Sequence, residues 1–311
     1  MEKQNKVAPG VGVGKEGVQS PSPSSLDNPK KAEPAFRIYK ARETERYLNA
    51  LFYGDYGVGK SYLAATSSEV PRMKSVLYIN AEGGDASVEH FDIDLVDIGN
   101  YSQFARVHEF LRLHCKLRNL YAKNKDPEAR TRLIKLQATF MGIEEESIKE
   151  PTLYYTVVVD TLTEVHKYCM YQLLGVKIGE FALDVAPDNP EIADWGRSAE
   201  MIRLLVRTFR DLPMNTIFIC ARDDVQDHTK KFHYAPLLPG KLSKEIRGFF
   251  DVVGYMAAVA TEGGDMLRRL WLTPGNTFHA KHRFKDFQER YMDNPTMADL
   301  AKYRLKDLNE K

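Results

Sequence analysis

The sequence predicts an α/β fold with a mostly parallel central sheet flanked by helices. Three observations carry this. Apolar, β-branched runs of strand length recur along the chain. Segments with helical spacing alternate with them. A glycine-rich turn sits directly between the first such strand and the first such helix.

In chain order, residues 1–34 are rich in Gly, Pro, Ser and Lys and carry almost no large apolar side chains. Such a segment cannot bury enough surface to offset its ordering entropy, so a disordered tail is expected. A flexible arm that contacts a partner is the alternative. Order is expected from near Phe36, giving a core over 35–284. Leu48 to Tyr53 reads as a buried strand, and a helix begins at Ser61. Ser75 to Ile79 is the next strand, and Leu95 to Ile98 a short one. Residues 102–148 read as a basic helical insert, which Asp126-Pro127 breaks into two helices. Tyr154 to Val159, ending in Asp160, has the composition of a central strand covered on both faces. A helix follows from Leu162. Residues 175–193 read as a loop. Ile202, Leu205, Val206 and Phe209 fall at i, i+3, i+4 and i+7, which predicts a helix over 196–211. Thr216 to Cys220 is another buried strand. A polar connection over 222–240 leads to a helix over 241–250. Strands are expected at Val252 to Ala258, Leu267 to Leu272 and Thr277 to Ala280, then a short helical tail over 285–311.

Composition narrows the function. The 311 residues are 43% hydrophobic and 28% charged, ordinary for a globular protein, with a formal net charge of +1. Any nucleic-acid site must therefore be a local patch. The three cysteines, Cys115, Cys169 and Cys220, form no CxxC pair. They argue against a disulfide framework or a zinc site and fit a reducing cytoplasm. No apolar run reaches bilayer length, and the N-terminus lacks a signal-peptide core, so no membrane partner is expected.

The segment Gly54-Asp55-Tyr56-Gly57-Val58-Gly59-Lys60-Ser61 matches G-x-x-x-x-G-K-[ST] in full. Glycines let backbone N–H groups curl around phosphate oxygens. The helix running on through Tyr62 adds its N-terminal dipole. Lys60 supplies a charge for the β/γ-phosphates, and Ser61 a hydroxyl ligand for Mg²⁺. ATP and Mg²⁺ are the implied cofactors, and Lys60 is expected to lie in a surface site. Asp160, at the tip of a buried strand, is placed to hold the metal through water; N-capping the helix from Leu162 is its other possible role. Glu82 ends the strand after the P-loop helix and can orient and deprotonate an attacking water. A surface acid of the turn Glu82-Gly-Gly-Asp85 is the alternative. The stretch 222–240 mixes Arg222, His228, Lys230, Lys231, Phe232, His233 and Tyr234, cations and rings that suit single-stranded nucleic acid or a solvated loop. Lys281 and Arg283 are spaced to share one face of a strand and to reach a neighbouring subunit's γ-phosphate, or to be plain surface charge.

These motifs, with Ile79-Asn-Ala-Glu82-Gly-Gly, Val158-Val-Asp160-Thr-Leu-Thr163, Asp194-Trp-Gly196, Phe209-Arg-Asp-Leu-Pro213, Leu238-Pro-Gly-Lys241-Leu and Ala280-Lys-His-Arg283, resemble the phage-encoded RecA-like AAA-family ATPases. That group includes the Sak-type single-strand annealing and recombination ATPases. The resemblance spans about Tyr53 to Tyr303. It implies a RecA-like P-loop core, Glu82 as the water-activating carboxylate and Asp160 as the acid on the Mg²⁺ side. It matches 175–193 and 222–240 to the first and second DNA-binding loops of RecA. In the second, the residue types themselves set Lys230 and Lys231 to contact phosphates and Phe232 or Tyr234 to stack on bases. The resemblance sets Lys281 and Arg283 across a subunit interface, in a homo-oligomeric ring or filament with shared active sites. The sequence departs from RecA where a Gln sensor is replaced near Arg222, and where the first loop is acidic.

The expectation is thus an ATP-hydrolysing protein that acts on single-stranded DNA in phage recombination or replication. It would work in the host cytoplasm, with a phage single-strand-binding protein as a further partner. A ring helicase or packaging motor, and a non-catalytic nucleotide switch, are the alternatives.

Overall fold

The computed structural model describes residue 40 and residues 46–176, 188–226 and 230–305. The expected tail over 1–34, most of the first DNA loop, His228 and residues 306–311 lie outside them.

The fold is α/β, with a mostly parallel sheet between helices. Strands β1 (Asn49–Gly54), β2 (Val76–Asn80), β3 (Asp94–Asp97), β4 (Thr156–Asp160), β5 (Asn215–Gln226) and β7 (Val252–Ala260) are mutually parallel in the order β3-β2-β4-β5-β1-β7. β8 (Met266–Trp271) and β9 (Tyr291–Asp293) extend the edge antiparallel, and β6 (Phe232–Pro236) pairs with the far end of β5. This is the α/β fold with a mostly parallel central sheet that the sequence predicts. One strand, β5, separates the P-loop strand from the strand of Asp160.

Strand alternation sorts the core into two layers. Leu51, Tyr53, Leu77, Ile79, Val157 and Val159 face the layer beneath α2 (Tyr101–Asn124), α4 (Leu162–Leu173) and α5 (Ile192–Arg210). Ala50, Phe52, Val76, Tyr78 and Val158 face the layer beneath α1 (Lys60–Ala65) and α7 (Met297–Arg304). Asp160 keeps the parity of Val158 and so emerges on the α1 side. Parallel strands carry their connections at the same edge, and both motif loops therefore meet there.

The expected insert is a pair of helices, α2 and α3 (Pro127–Met141). Lys125 closes α2 in the left-handed region, and the Asp126 side chain accepts from the backbone of Glu128 and Ala129 to open α3. Arg118 pins α2 to the sheet end. It is 1% exposed, donates to the Tyr154 and Pro213 carbonyls at 2.6 Å each, and lies 4.4 Å over the Tyr155 ring.

Four expectations need correction. Residues 222–240 are not a polar connection: β5 runs on to Gln226 and pairs with β6 as a hairpin, followed by α6 (Lys241–Ile246). Thr277 to Ala280 forms no strand, only an isolated bridge at Phe278 and another at Lys281; Gly275 beside it favours a turn. The tail over 285–311 is not simply helical, because β9 joins the sheet before α7 docks under it. Finally, α5 begins at Ile192, inside the segment read as a loop, where Glu191 and Asp194 form a capping box.

Arg118→Ala should leave two buried carbonyls unpaired and open a void. A loss of about 3 kcal/mol or more in urea unfolding is expected. An unchanged midpoint would show that α2 needs no such pin.

Candidate nucleotide site

The P-loop lies where β1 ends at the sheet edge. Gly54 passes so close to β7 that a Cβ there would meet the Met256 carbonyl oxygen at 2.1 Å. Gly57 and Gly59 have φ of 73° and 93°, which L side chains adopt only at a cost. Gly59 opens α1, and Lys60 follows at its first position.

Lys60 is 7% exposed, not a surface residue. Its Nζ donates to the carbonyls of Gly54 (3.2 Å) and Asp55 (2.7 Å), and burial lowers its pKa. Ser61 points to β4 and donates its hydroxyl to Asp160 Oδ2 at 2.6 Å. Tyr78, on β2, donates to the same oxygen at 2.5 Å. Asp160 Oδ1 is buried and has no hydrogen-bond partner. Burial pushes the Asp160 carboxyl up, while the Ser61 and Tyr78 hydroxyls and the Lys60 charge pull it down. Asp160 does not cap the next helix: Thr161 does, accepting from the Glu164 N–H.

Glu82 faces this group from the turn after β2. Together with Tyr56, Gly57, Gly59, Lys60, Ser61, Tyr62, Ala86, Ser87, His90, Asp160 and Arg268 it lines a cleft of about 420 Å³. The turn is fixed from behind. Buried Asn80 donates to Asp97 (2.8 Å) and accepts from the Gly83 N–H (3.0 Å), and the Tyr168 hydroxyl donates to the Ala81 carbonyl (2.8 Å). Burial, then the Asp160 charge, raise the Glu82 pKa, and Lys60 opposes them.

Arg222 links this cleft to the β5–β6 hairpin. Its guanidinium pairs with P-loop residue Asp55 at 2.8 Å and with Asp224 at 3.0 Å, and lies 4.2 Å over the Tyr234 ring. Tyr234 also stacks on Tyr255, so its ring is already engaged. Phe232, on the same hairpin face, is 57% exposed. Lys230 and Lys231 precede it.

Lys281 and Arg283 do not enter their own chain's cleft. Lys281 bridges to Val253, which lies beside Leu51, three residues before the P-loop begins. Arg283 pairs with Asp251 at 2.9 Å, ahead of β7, and Arg304 shares that carboxylate at 2.6 Å. Both cations thus lie toward the opposite end of the sheet from Gly54.

Tyr78, Asn80, Tyr168 and Arg268 are site residues that the sequence reading missed. Tyr78 and Asn80 were legible in principle, since they share the strand parity of the edge residues. Arg268 carried no local signal, because a different strand brings it to the P-loop. Among the described residues no His, Cys, Asp and Glu cluster of three can hold a metal, the three cysteines are free and buried, and no helix is long and apolar enough to cross a membrane.

Two variants test the site. Lys60→Ala removes a buried charge, so it should fold yet lose ATP turnover; a folded variant with normal turnover would remove Lys60 from the site. Glu82→Gln should keep ATP binding while kcat falls roughly 10²-fold or more. A base must be deprotonated, and the Glu82 pKa is raised. The wild-type rate should therefore fall on acidification through a limb above the ordinary glutamate range, and this limb should be missing in Glu82→Gln. The same limb in both proteins would assign it elsewhere, Asp85 being the first alternative.

No curated protein matches this sequence significantly. Among solved structures, the flagellar accessory protein FlaH from Methanocaldococcus jannaschii is similar at 10% identity and a TM-score of 0.36, over 79% of this chain and 85% of that one. The RadB recombinase is similar at 16% identity and a TM-score of 0.37, over 80% and 86%. A family model described as an AAA domain matches residues 46–284. With that match over most of its length, and a P-loop whose Ser61 meets Asp160 at the sheet edge, the chain belongs to the AAA domain family of P-loop ATPases.

Proposed function

We propose that the protein is a Mg²⁺-dependent ATPase of phage origin that acts on single-stranded DNA during recombination or replication. The observation that carries the ATPase reading is the Asp160 carboxylate. One oxygen is held by Ser61 and Tyr78, while the other is buried and unpaired beside the P-loop. A buried carboxylate oxygen without a donor is costly, and a hard cation satisfies it. Ser61 and Asp160 would hold Mg²⁺, which, when bound, neutralises charge on the β- and γ-phosphates. Lys60 would leave its loop carbonyls for the phosphate oxygens. Glu82 would orient water and take its proton.

The DNA reading is supported by the hairpin. Lys230 and Lys231 offer cations to the phosphate backbone, and Phe232 an exposed ring for base stacking. Arg222 ties this hairpin to Asp55, so a nucleotide that shifts the P-loop would bear on the DNA contacts. Replacing both lysines should weaken single-strand binding and reduce the slope of log affinity against log salt by about 1.4, two contacts' worth. An unchanged slope would move the DNA site elsewhere, first to the basic α2–α3 pair. ATPase rate with and without single-stranded DNA tests the whole reading. Stimulated turnover supports it, whereas ATP binding with negligible turnover would make the protein a switch.

Lys281 and Arg283 would serve an adjoining subunit in a ring or filament, since they cannot serve their own cleft. Arg283→Ala should bind ATP but hydrolyse it poorly. Mixed with Lys60→Ala protein, it should regain part of the activity, because some interfaces pair an intact P-loop with an intact cation. No recovery despite co-assembly would leave Arg283 as the partner of Asp251 alone.

A further inference from the structure

We propose that Arg268 is a second nucleotide-binding cation, supplied by the same chain and directed at the α/β end of the phosphates. The inference rests on the nucleotide site proposed above.

Strand register places the residue. Gly54 pairs with Met256 on β7, which continues past that level to Ala260. β8 returns antiparallel, with Leu270 opposite Met256 and Arg268 opposite Ala258. Leu270 is fully buried in the layer beneath α1. Two residues away on the same strand, Arg268 shares its face and rises beyond the sheet edge on the P-loop side. Asn294 fixes the backbone there: its Oδ1 accepts from the Arg268 N–H at 3.0 Å, and its own N–H donates to the Arg268 carbonyl at 2.6 Å.

The side chain then lies across the loop. A Cβ on Gly59 would meet Arg268 Nε at 2.8 Å and Cδ at 2.9 Å. The guanidinium carbon is 5.1 Å from the Tyr62 ring centroid. Gly59 is favoured for its positive φ, and the Arg268 side chain passes close over it. The adjacent Arg269 shows the contrast. It points to the other face and is closed in an ion pair with Asp293 at 2.6 Å. Among the described residues no carboxylate pairs with Arg268.

The position selects the part of the ligand. Lys60 Nζ lies over the carbonyls of Gly54 and Asp55, at the start of the loop. Arg268 covers Gly59 and Tyr62, at its end. Backbone N–H groups of a P-loop cradle the α/β-phosphates, and its lysine reaches the β/γ-phosphates. Arg268 therefore engages what ATP and ADP share, unlike a cation that acts on the transferring phosphoryl group.

The test is titration of full-length protein with N-methylanthraniloyl-labelled ADP and ATP in the presence of Mg²⁺. Arg268→Ala should weaken both by on the order of 10-fold or more, the scale of a lost charge-assisted contact. Arg268→Lys should recover part of the loss, since it keeps the charge and not the planar fork. Arg269→Ala, which removes a charge from the other face of β8, should bind as wild type does. In turnover the Arg268→Ala defect should fall mainly on KM. Wild-type binding with unaltered Arg268→Ala affinity would overturn this inference alone. So would a loss confined to ATP, which would put Arg268 at the γ-phosphate. No binding by wild type would overturn the nucleotide site itself and this inference with it.

Discussion

The Asp160 carboxylate joins three separate pieces of chain. It ends β4, accepts a hydroxyl from Ser61 at the start of α1, and accepts another from Tyr78 on β2. Burying a carboxylate costs several kcal/mol unless donors or a cation compensate it. Two neutral hydroxyls on one oxygen compensate it in part. They also tie the P-loop helix and β2 to the tip of β4. Lys60 and Glu82 line the cleft around this tie.

Around that tie, rigidity comes from the backbone. Gly54 lets the loop pass where a side chain cannot, against the Met256 carbonyl, and Gly57 and Gly59 supply its positive φ. Asn80 and Tyr168 hold the Glu82 turn by its amides and carbonyls rather than by Glu82 itself. The catalytic candidate thus keeps a free carboxylate on a fixed mount. Arg222 plays a different part. It joins Asp55 in the loop to Tyr234 in the hairpin, two segments with no shared secondary structure.

Much of this was legible from residue order. The P-loop match, the apolar run ending in Asp160 and the alternation of strand and helix defined the core. The hairpin was not, because Asp223, Asp224 and Gln226 are polar and read as a connection. Their strand pairs antiparallel with β6 beyond the sheet edge, where solvent reaches it and polar side chains cost nothing. The tail was misread for a related reason: Tyr291–Asp293 is too short to show a period, and only pairing with β8 makes it a strand.

The sequence by itself determined the chemistry of the phosphate site, because its glycines, lysine and serine are consecutive and their spacing follows from one turn and one helix. It also determined the layered fold, since period-2 and period-3.6 patterns are local properties. Only the tertiary structure decided which distant side chains complete the site. Tyr78, Arg222 and Arg268 reach the P-loop from three strands whose neighbours are set by sheet order. Sheet order is a choice among long-range pairings that no local pattern encodes.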